Sequence, residues 1–336
     1  MASATALLLH GPVSADYSSR EDVRAYVDEL VQAHGFGRDE LLETFAGARH
    51  RPRIVEAMSR PAEKALKWFE YRNIFLKRER IAGGIEFWAD NSAALESAED
   101  SFNVAPEYVV AIIGVETYFG RVMGSHRVLD ALSTLAFDYP PRAAFFRKEL
   151  TEFLLLAREE KRSPAELKGS YAGAMGYGQF IPSSYRHYAV DFDGDGVRDI
   201  WTNTTDAIGS VANYFARHGW RGDGEVALRV TASGREAEEA ANTGLALNRT
   251  VTDFRALGVE VPEIDGGANA ALFRMELKNG VEYWLGLHDF YVITRYNRSA
   301  MYALAVHQLS QAIKAGRDES HAEADGLPDA GLESAL

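Results

Sequence analysis

Apolar residues recur with a helical period over most of the chain. The pattern predicts amphipathic helices in residues 18–97, 142–160 and 205–218. Within the first of these stretches, residues 60–84 predict one long helix. Residues 106–117 differ, because apolar side chains occupy most of the helix circumference, which is typical of a buried helix.

The pattern changes between residues 225 and 285 to short runs that alternate with a period of two. FRMEL and VEYWL flank Asn279 and Gly280, a pair typical of a two-residue β-hairpin turn. Helical periodicity returns at residue 299. Residues 316–336 are polar and acidic without an apolar period, and we predict them to be disordered. The fold class is therefore mainly α (α+β), with one small β section.

Composition narrows the classes of function. The formal net charge of −13, without a basic stripe, disfavours nucleic acid and anionic membrane surfaces as partners. The chain has no cysteine, which excludes disulfides, thiolate nucleophiles and cysteine-ligated zinc. No stretch approaches the roughly 20 apolar residues that span a bilayer, so we predict no membrane insertion. A cation or a neutral polymer fits better as a partner.

The first residues, 1–16, contain a short apolar run followed by Val13, Ser14 and Ala15, small residues suited to cleavage before Asp16. Two interpretations stay open. The segment is either the remnant of a signal peptide, which would make the protein an exported one, or a disordered chain end.

Glu116 is the one ionised side chain in the apolar run AIIGVETYFG. On a continuous helix its neighbours would be Ile112, Ile113, Phe119 and Gly120. Its carboxylate would then face an apolar surface or a cleft, where an unpaired charge is costly. Either the charge is paired, as for most glutamates, or the group holds a proton at a raised pKa. A general acid that works near neutral pH requires the second condition.

A glycine-rich motif, GSYAGAMGYGQFIPSSY, occupies residues 169–185. Four glycines in residues 169–178 allow a backbone to approach a ligand closely, and Ser170, Tyr177 and Gln179 supply hydroxyl and amide groups. The motif lacks the lysine and the spacing of a phosphate loop. It is either a tight structural turn or a surface for a sugar, whose rings have apolar faces and hydroxyl edges.

An acidic loop follows at residues 191–206. The loop has an EF-hand-like spacing, in which positions 1, 3, 5, 6 and 9 are Asp191, Asp193, Asp195, Gly196 and Asp199. Position 12 is Thr202 rather than the bidentate glutamate, so the closing ligand must come from elsewhere, and Asp206 is our candidate. A solvated acidic turn is the alternative. Because clustered carboxylates repel one another unless a cation neutralises them, we predict a structural Ca²⁺.

A fourth segment, TRYNRSAMYALAV, combines Tyr296, Asn297 and Tyr302, two aromatic faces with one amide. These groups suit a sugar. The start of a helix, with Asn297 or Ser299 as its N-cap, explains the same segment equally well.

Several long motifs, in order, carry a resemblance to a known family. IIGVETYFGRVMG, GSYAGAMGYGQFIPSSY, DFDGDGVRDIW, DAIGSVANYFARHGW and YWLGLHDFYVITRYNRS resemble the lytic murein transglycosylase B family of bacterial cell-wall enzymes. The resemblance implies a lysozyme-like catalytic core, a helical domain and a small β-containing domain. The expected divisions are a helical domain at 17–97 with 138–166, a core at 98–137, 167–224 and 286–315, and a β domain at 225–285.

The resemblance also implies an activity. The family cleaves the β-1,4 bond from N-acetylmuramic acid to N-acetylglucosamine in peptidoglycan and forms a 1,6-anhydromuramyl end. Glu116, in the GVET motif, would act first as acid and then as base. Two alternatives stay open: a hydrolytic muramidase on the same fold, and a calcium-stabilised peptidoglycan-binding protein without catalysis.

Site residues carry over position by position. The resemblance implies saccharide contacts at Ser170, Gln179, Tyr296, Asn297, Tyr302 and, in a looser match, Tyr71. It implies a calcium site at Asp191, Asp193, Asp195, the Val197 carbonyl and Asp206, with Asp199 as a substitute. Glycan strands are the expected partner, together with cell-wall synthesis or division proteins. Without a cysteine for a lipid anchor, the chain resembles the soluble periplasmic branch.

Overall fold

A computed structural model describes residues 16–60 and 66–324, and it is mainly helical with a small antiparallel sheet, as predicted. The helices are α1 (Glu21–His34), α2 (Arg38–Ala46), α3 (Pro52–Ser59), α4 (Trp68–Phe75), α5 (Arg78–Asp90), α6 (Ser92–Phe102), α7 (Pro106–Thr117), α8 (Val128–Asp138), α9 (Ala143–Glu159), α10 (Pro182–Tyr188), α11 (Thr204–Arg217), α12 (Arg235–Ala240), α13 (Val251–Ala256), α14 (His288–Tyr296) and α15 (Ala300–Ala324). The strands are β1 (His126–Arg127), β2 (Lys168–Gly169), β3 (Ala227–Ala232), β4 (Arg249–Thr250), β5 (Val259–Glu260), β6 (Asn269–Glu276) and β7 (Val281–Gly286).

The described chain forms two compact units. The first contains residues 16–60, 124–175 and 180–186. Its core lies between α8 and α9, where Tyr26, Phe45 and Phe137 meet edge to face. Such aromatic pairs add to the stabilisation from their buried area. The second unit contains residues 66–123, 176–179 and 187–324.

Helix α7 is the central helix of the second unit. It packs against α5, α6, α11 and α15, and residues 106–114 are all buried. Pro106 begins the helix at a position where proline needs no backbone partner. The prediction of a buried helix at 106–117 is confirmed.

The sheet of the second unit has the strand order β4-β6-β7-β3-β5, with antiparallel pairing. Strands β6 and β7 form the predicted hairpin, in which Leu277 N–H donates to the Gly280 carbonyl and Gly280 has a φ of 91°. One face of the sheet is covered by α12 and α13, with Phe254, Leu272 and Leu285 in the shared core. These residues supply the buried side that the alternating pattern predicts.

Two predicted elements differ from the structure. The single helix at 60–84 is wrong, because α4 ends at Phe75 and α5 begins at Arg78, while residues 61–65 lie outside the described residues. Disorder from residue 316 is also wrong up to Ala324, since α15 continues to that residue. The Arg317 guanidinium lies 4.4 Å from the centre of the Trp88 ring, and this contact holds the extra turns.

The remaining terminal predictions concern residues that the structure does not describe. The signal-peptide interpretation of 1–16 and the disorder of 325–336 lie outside the described residues, except for Asp16. Among the described residues, residue 60 belongs to the first unit and residue 66 to the second, so a boundary between units falls inside the stretch 17–97 that we expected to form one helical domain. Among residues 16–60 and 66–324, none of the helices combines the length and the apolar character needed to cross a membrane.

Candidate active site

Glu116 lies in the last turn of α7, half-buried, within hydrogen-bonding distance of one tyrosine. The Tyr302 hydroxyl donates to Glu116 Oε1 over 2.5 Å. Tyr302 belongs to α15 and is 3% exposed, so the partner of the carboxylate is itself rigidly packed. The structure therefore gives Glu116 an uncharged hydrogen-bond donor, and the protonation state of the carboxyl group stays a prediction.

Two of the predicted sugar-site tyrosines lie close to Glu116, and a third lies near them. Burial and then the charge of Glu116 raise the pKa of both Tyr302 and Tyr296 well above the usual tyrosine value. Tyr71 lies near enough to add to the rise in the pKa of Tyr302. All three side chains belong to the second unit. The hydroxyls of Tyr302 and Tyr296 consequently stay protonated in the neutral range and act as uncharged donors.

The second half of the glycine-rich motif belongs to the same unit. The Tyr296 hydroxyl donates to the Gly178 carbonyl over 2.5 Å. The side-chain amide of Gln179 donates to the carbonyls of Met123 and Gly176, at 3.2 and 2.9 Å, so its Oε1 is the atom suited to a saccharide. The side chain of Tyr296 thus contacts the backbone next to Gln179, while sugar contacts at Tyr296 and Gln179 stay predictions.

Ser170 and Asn297 have local structural roles. Ser170 lies in the first unit, and its hydroxyl accepts hydrogen bonds from the N–H groups of Ala172 and Ala174. That arrangement is the tight turn we considered as an alternative. Asn297 follows α14, while the Ser299 hydroxyl accepts from Tyr302 N–H and caps α15. Sugar contacts at Ser170 and Asn297 stay predictions.

Several residues around the carboxylate were not predicted from the sequence. Thr117 Oγ1 donates to the Tyr177 carbonyl over 3.0 Å and accepts from Gly120 N–H over 3.0 Å. The Tyr214 ring lies 4.6 Å from the Tyr296 ring, centre to centre, and its hydroxyl donates to the Arg295 carbonyl. Apart from the local bond between Gly120 and Thr117, these contacts join segments far apart in the chain, so no local pattern signals them.

The neighbours of Glu116 also differ from those of a continuous helix. The helix ends at Thr117, and Tyr118 and Phe119 adopt positive φ angles of 53° and 59°. The expected helical neighbours Phe119 and Gly120 therefore lie beyond the helix end. Side chains with a Cβ avoid this region, so the turn must be held by its surroundings.

Three carboxylates of the acidic loop converge. One oxygen from each of Asp191, Asp193 and Asp206 lies within 4.8 Å of the others. Asp206 is fully buried, and its oxygens accept the N–H groups of Phe192 and Asp199, each at 2.7 Å. Burial raises the pKa of Asp206, and the nearby Asp193 adds to the rise. A cation bound between these oxygens would reduce the repulsion among the three carboxylates.

The other predicted metal residues have different contacts in the described loop. Asp195 Oδ1 accepts from Val197 N–H over 2.8 Å, and Asp199 accepts from the N–H groups of Trp201 and Thr202. Gly196 has a φ of 93°, the turn for which position 6 of the pattern needs glycine. The converging set is therefore smaller than the predicted set. Coordination by Asp195, Asp199 and the Val197 carbonyl stays a prediction.

A cavity of about 650 Å³ in the second unit lies beside the sheet, lined by Asp223, Glu225, Asp265 and His288 among others. None of the predicted catalytic, saccharide or metal residues lines it. Glu116 is instead hydrogen-bonded to the buried Tyr302, and its charge acts on both Tyr296 and Tyr302. Its catalytic role stays a prediction.

Comparison with known proteins gives a consistent result. Residues 18–311 match the transglycosylase SLT domain family. The chain is 42% identical over 315 residues to the membrane-bound lytic murein transglycosylase B of Escherichia coli (strain K12), covering 91% of this chain and 86% of that protein.

Solved structures of lytic transglycosylases are also similar to this chain. Soluble lytic transglycosylase SltB1 from Pseudomonas aeruginosa matches with a TM-score of 0.85 and 49% identity, over 88% of this chain and 99% of that chain. Escherichia coli lytic transglycosylase Slt35 in complex with calcium matches with a TM-score of 0.83 and 42% identity, over 91% and 96%. SltB3 from Pseudomonas aeruginosa in complex with NAG-anhNAM-pentapeptide matches with a TM-score of 0.76 and 31% identity, over 88% and 79%.

Proposed function

The chain belongs to the lytic murein transglycosylases of the SLT-domain family, and from this membership we propose that it cleaves peptidoglycan with Glu116 as its single acid and base. The resemblance to the lytic murein transglycosylase B family is confirmed. The lysozyme-like core expected for a mainly α protein is likewise confirmed. The roles of individual residues are proposals.

The proposed reaction needs one carboxyl group that works twice. Protonated Glu116 gives its proton to the oxygen that links muramyl C1 to the next sugar, and the C1–O bond breaks. The muramyl O6 then bonds to C1, and the Glu116 carboxylate takes the proton that O6 loses. Glu116 ends in its starting state, no water is consumed, and the product carries a 1,6-anhydro ring.

The observation that carries this proposal is the hydrogen bond from Tyr302 to Glu116 Oε1. It helps to fix the orientation of the carboxyl group that transfers the proton. A neutral tyrosine suits both states of the carboxyl group, since its hydroxyl can donate to either. Tyr296, Tyr71 and the Gln179 Oε1 would contact the sugar through ring faces and hydrogen bonds. Ser170 and Asn297 complete the proposed saccharide set.

Product masses test the reaction. We expect digestion of purified peptidoglycan to give muramyl ends that are each lighter by one water than those from a lysozyme digest. Hydrated ends alone would contradict the proposal and favour the hydrolytic muramidase. Binding of glycan strands without any cleavage would favour the non-catalytic alternative. A relative solved with NAG-anhNAM-pentapeptide supports the lyase product.

We further propose that the acidic loop holds a structural Ca²⁺ through Asp191, Asp193 and Asp206. Calcium–oxygen distances of about 2.3–2.6 Å place ligand oxygens up to roughly 5 Å apart, which fits the convergence within 4.8 Å. Slt35, a relative, was solved in complex with calcium. The EF-hand-like spacing would add Asp195 and the Val197 carbonyl, with Asp199 as a substitute. The ion would neutralise the cluster and brace the loop before α11.

The substrate implies a location. Peptidoglycan lies outside the cytoplasmic membrane, so we propose that the enzyme acts in the periplasm. The cell-wall synthesis or division proteins that recruit it remain predictions. Cell fractionation with an antibody against this chain tests the location, and a purely cytoplasmic signal would contradict it.

A further inference from the structure

The turn that follows Glu116 is held in an unfavourable backbone conformation. Tyr118 and Phe119, at φ of 53° and 59°, stand side by side in the left-handed region without glycine's freedom. This conformation costs free energy in any residue that has a Cβ. The surrounding structure must supply contacts that offset this cost, and those contacts also determine where the end of α7 lies.

The first set of contacts surrounds the Phe119 ring. A Cβ built on Gly114 would lie 2.7 Å from that ring, and a Cβ on Gly84 would lie 3.1 Å from it. The ring therefore occupies space that only glycine leaves open on α7 and α5. Ile313 of α15 packs against the same position on α5, because its Cδ1 would lie 2.4 Å from a Cβ built on Gly84.

A second set comes from Arg80 on α5. Arg80 Nη1 donates to the Gly114 carbonyl over 2.6 Å. The guanidinium carbon lies 4.7 Å from the Tyr118 ring centre and 5.2 Å from that of Phe75. Burial lowers the pKa of Arg80, but arginine stays charged in any accessible range. Its charge lies at the C-terminal end of α7, where the helix dipole favours a cation.

Arg80 thus holds the residues on both sides of Glu116. Gly114 lies two positions before the carboxylate, and Tyr118 lies two positions after it. The distance from Glu116 Oε1 to the Tyr302 hydroxyl depends on this same short segment, because Tyr302 is fixed on another helix. A tilt of the helix end would change that distance directly.

We infer that Arg80 is a positioning residue for Glu116, acting through the Gly114 carbonyl and the Tyr118 ring. The inference rests on the proposed function of Glu116. Arg80 contacts the backbone and two aromatic rings, so its role is to hold the acid in line with the bond to be cleaved. A misplacement of about 1 Å at a reacting group can cost on the order of 100-fold in rate.

The test replaces Arg80 with methionine, which keeps length and apolar contact but loses the charge and the donors. We expect kcat on a defined glycan oligomer to fall about 10- to 100-fold, with KM within about twofold. Arg80→Lys, which keeps a charge that can reach the carbonyl, should recover most of the rate. Arg78→Met on the same helix, an exposed position, is the matched control and should leave kcat unchanged.

Two further variants separate positioning from general destabilisation. Arg186→Met removes an arginine that pairs with Glu152 and Glu159 in the first unit. It should lower the melting temperature without lowering kcat. In a Glu116→Gln background, Arg80→Met should cause little further loss, because a residue that acts through Glu116 has nothing left to position.

Three outcomes would overturn the inference. They are an unchanged kcat in Arg80→Met, a rise in KM at constant kcat, and an equal further loss in the Glu116→Gln background. The first two would mean that Arg80 is dispensable or contacts substrate. Failure of the proposed function would give a different result. The Glu116→Gln variant would then keep its activity, whether or not Arg80 is also replaced.

Discussion

Two regions of the second unit surround their carboxylates with different kinds of neighbours. At the end of α7, one carboxylate meets a neutral hydroxyl, that of Tyr302. In the acidic loop, three carboxylates converge within 4.8 Å of one another. A hydroxyl can donate to a carboxyl group in either protonation state, whereas clustered carboxylates repel one another and would be stabilised by the cation that we propose. The first arrangement suits chemistry and the second suits structure.

The difference lies in what each acid's neighbours can do. Backbone N–H groups donate to both oxygens of Asp206, so its orientation is fixed before any ion binds. For Glu116, a side-chain hydroxyl from another helix donates to the carboxyl group. Substitutions in the two regions should therefore affect different measurements, activity in one and thermal stability in the other.

The largest effect should come from Glu116→Gln. The amide keeps the shape of the side chain but cannot deliver and recover a proton, so turnover should fall by at least ~100-fold, the usual scale for loss of a general acid. Muropeptide release followed by mass spectrometry measures it. Glycan binding and the melting temperature should stay close to those of the parent protein. Retained turnover would move the chemistry to another residue.

The acidic loop should respond to calcium and hardly to substrate. Because an ion that binds only the folded state stabilises it by mass action, calcium at 100 times its dissociation constant should add about 2.7 kcal/mol to the free energy of unfolding. Chelation followed by re-addition, monitored by thermal melting, measures this gain. Asp206→Asn should abolish the gain while leaving initial turnover at low temperature nearly unchanged. No shift on re-addition in the parent protein would count against the site.

A buried histidine outside both regions, His307, shows how burial alone shifts a titrating group. His307 is 7% exposed, its Nδ1 lies 2.9 Å from the Tyr108 hydroxyl oxygen, and burial lowers its pKa to about 4. The unfolded chain, with a histidine pKa near 6.5, binds more protons between pH 4 and 6.5. Stability therefore falls as pH falls through that window, by about 2 kcal/mol from pH 8 to pH 5.

His307→Gln tests this linkage in urea unfolding at both pH values. The variant should lose that part of the pH dependence, although its stability at pH 8 can differ. The exposed His126→Gln is the control and should keep the full slope. Equal slopes in the parent protein and His307→Gln would show that carboxylates alone govern the acid range.

The sequence predicted elements whose signals are local. Helix α7 follows from apolar side chains around its whole circumference, and the β6–β7 hairpin follows from Asn279 and Gly280. Gly196 similarly marks the turn of the acidic loop. In each case the residues that carry the signal are the residues that form the element.

The missed features depend on contacts between distant segments. The break between α4 and α5 contains neither glycine nor proline. Trp68 donates to Glu282 from one side of it, and Arg80 donates to Gly114 from the other. The extension of α15 depends likewise on Arg317 against Trp88. The local sequence contains no pattern that predicts these distant partners. The left-handed turn at Tyr118 was not predicted from the sequence for the same reason.

Tyr302→Phe gives the smallest effect and the closest test of the contrast between the two regions. The change removes a hydroxyl that donates to Glu116 Oε1 and keeps the ring in its buried position. A hydrogen bond to a charged group contributes about 1.5–3 kcal/mol, and water can replace part of it, so kcat/KM should fall about tenfold. Tyr26→Phe, which removes a hydroxyl bonded to Thr151 in the first unit, is the control and should not change kcat/KM. An unchanged rate in Tyr302→Phe would mean that Glu116 is held by other contacts, and the hydroxyl would then no longer distinguish the catalytic acid from the acids of the loop.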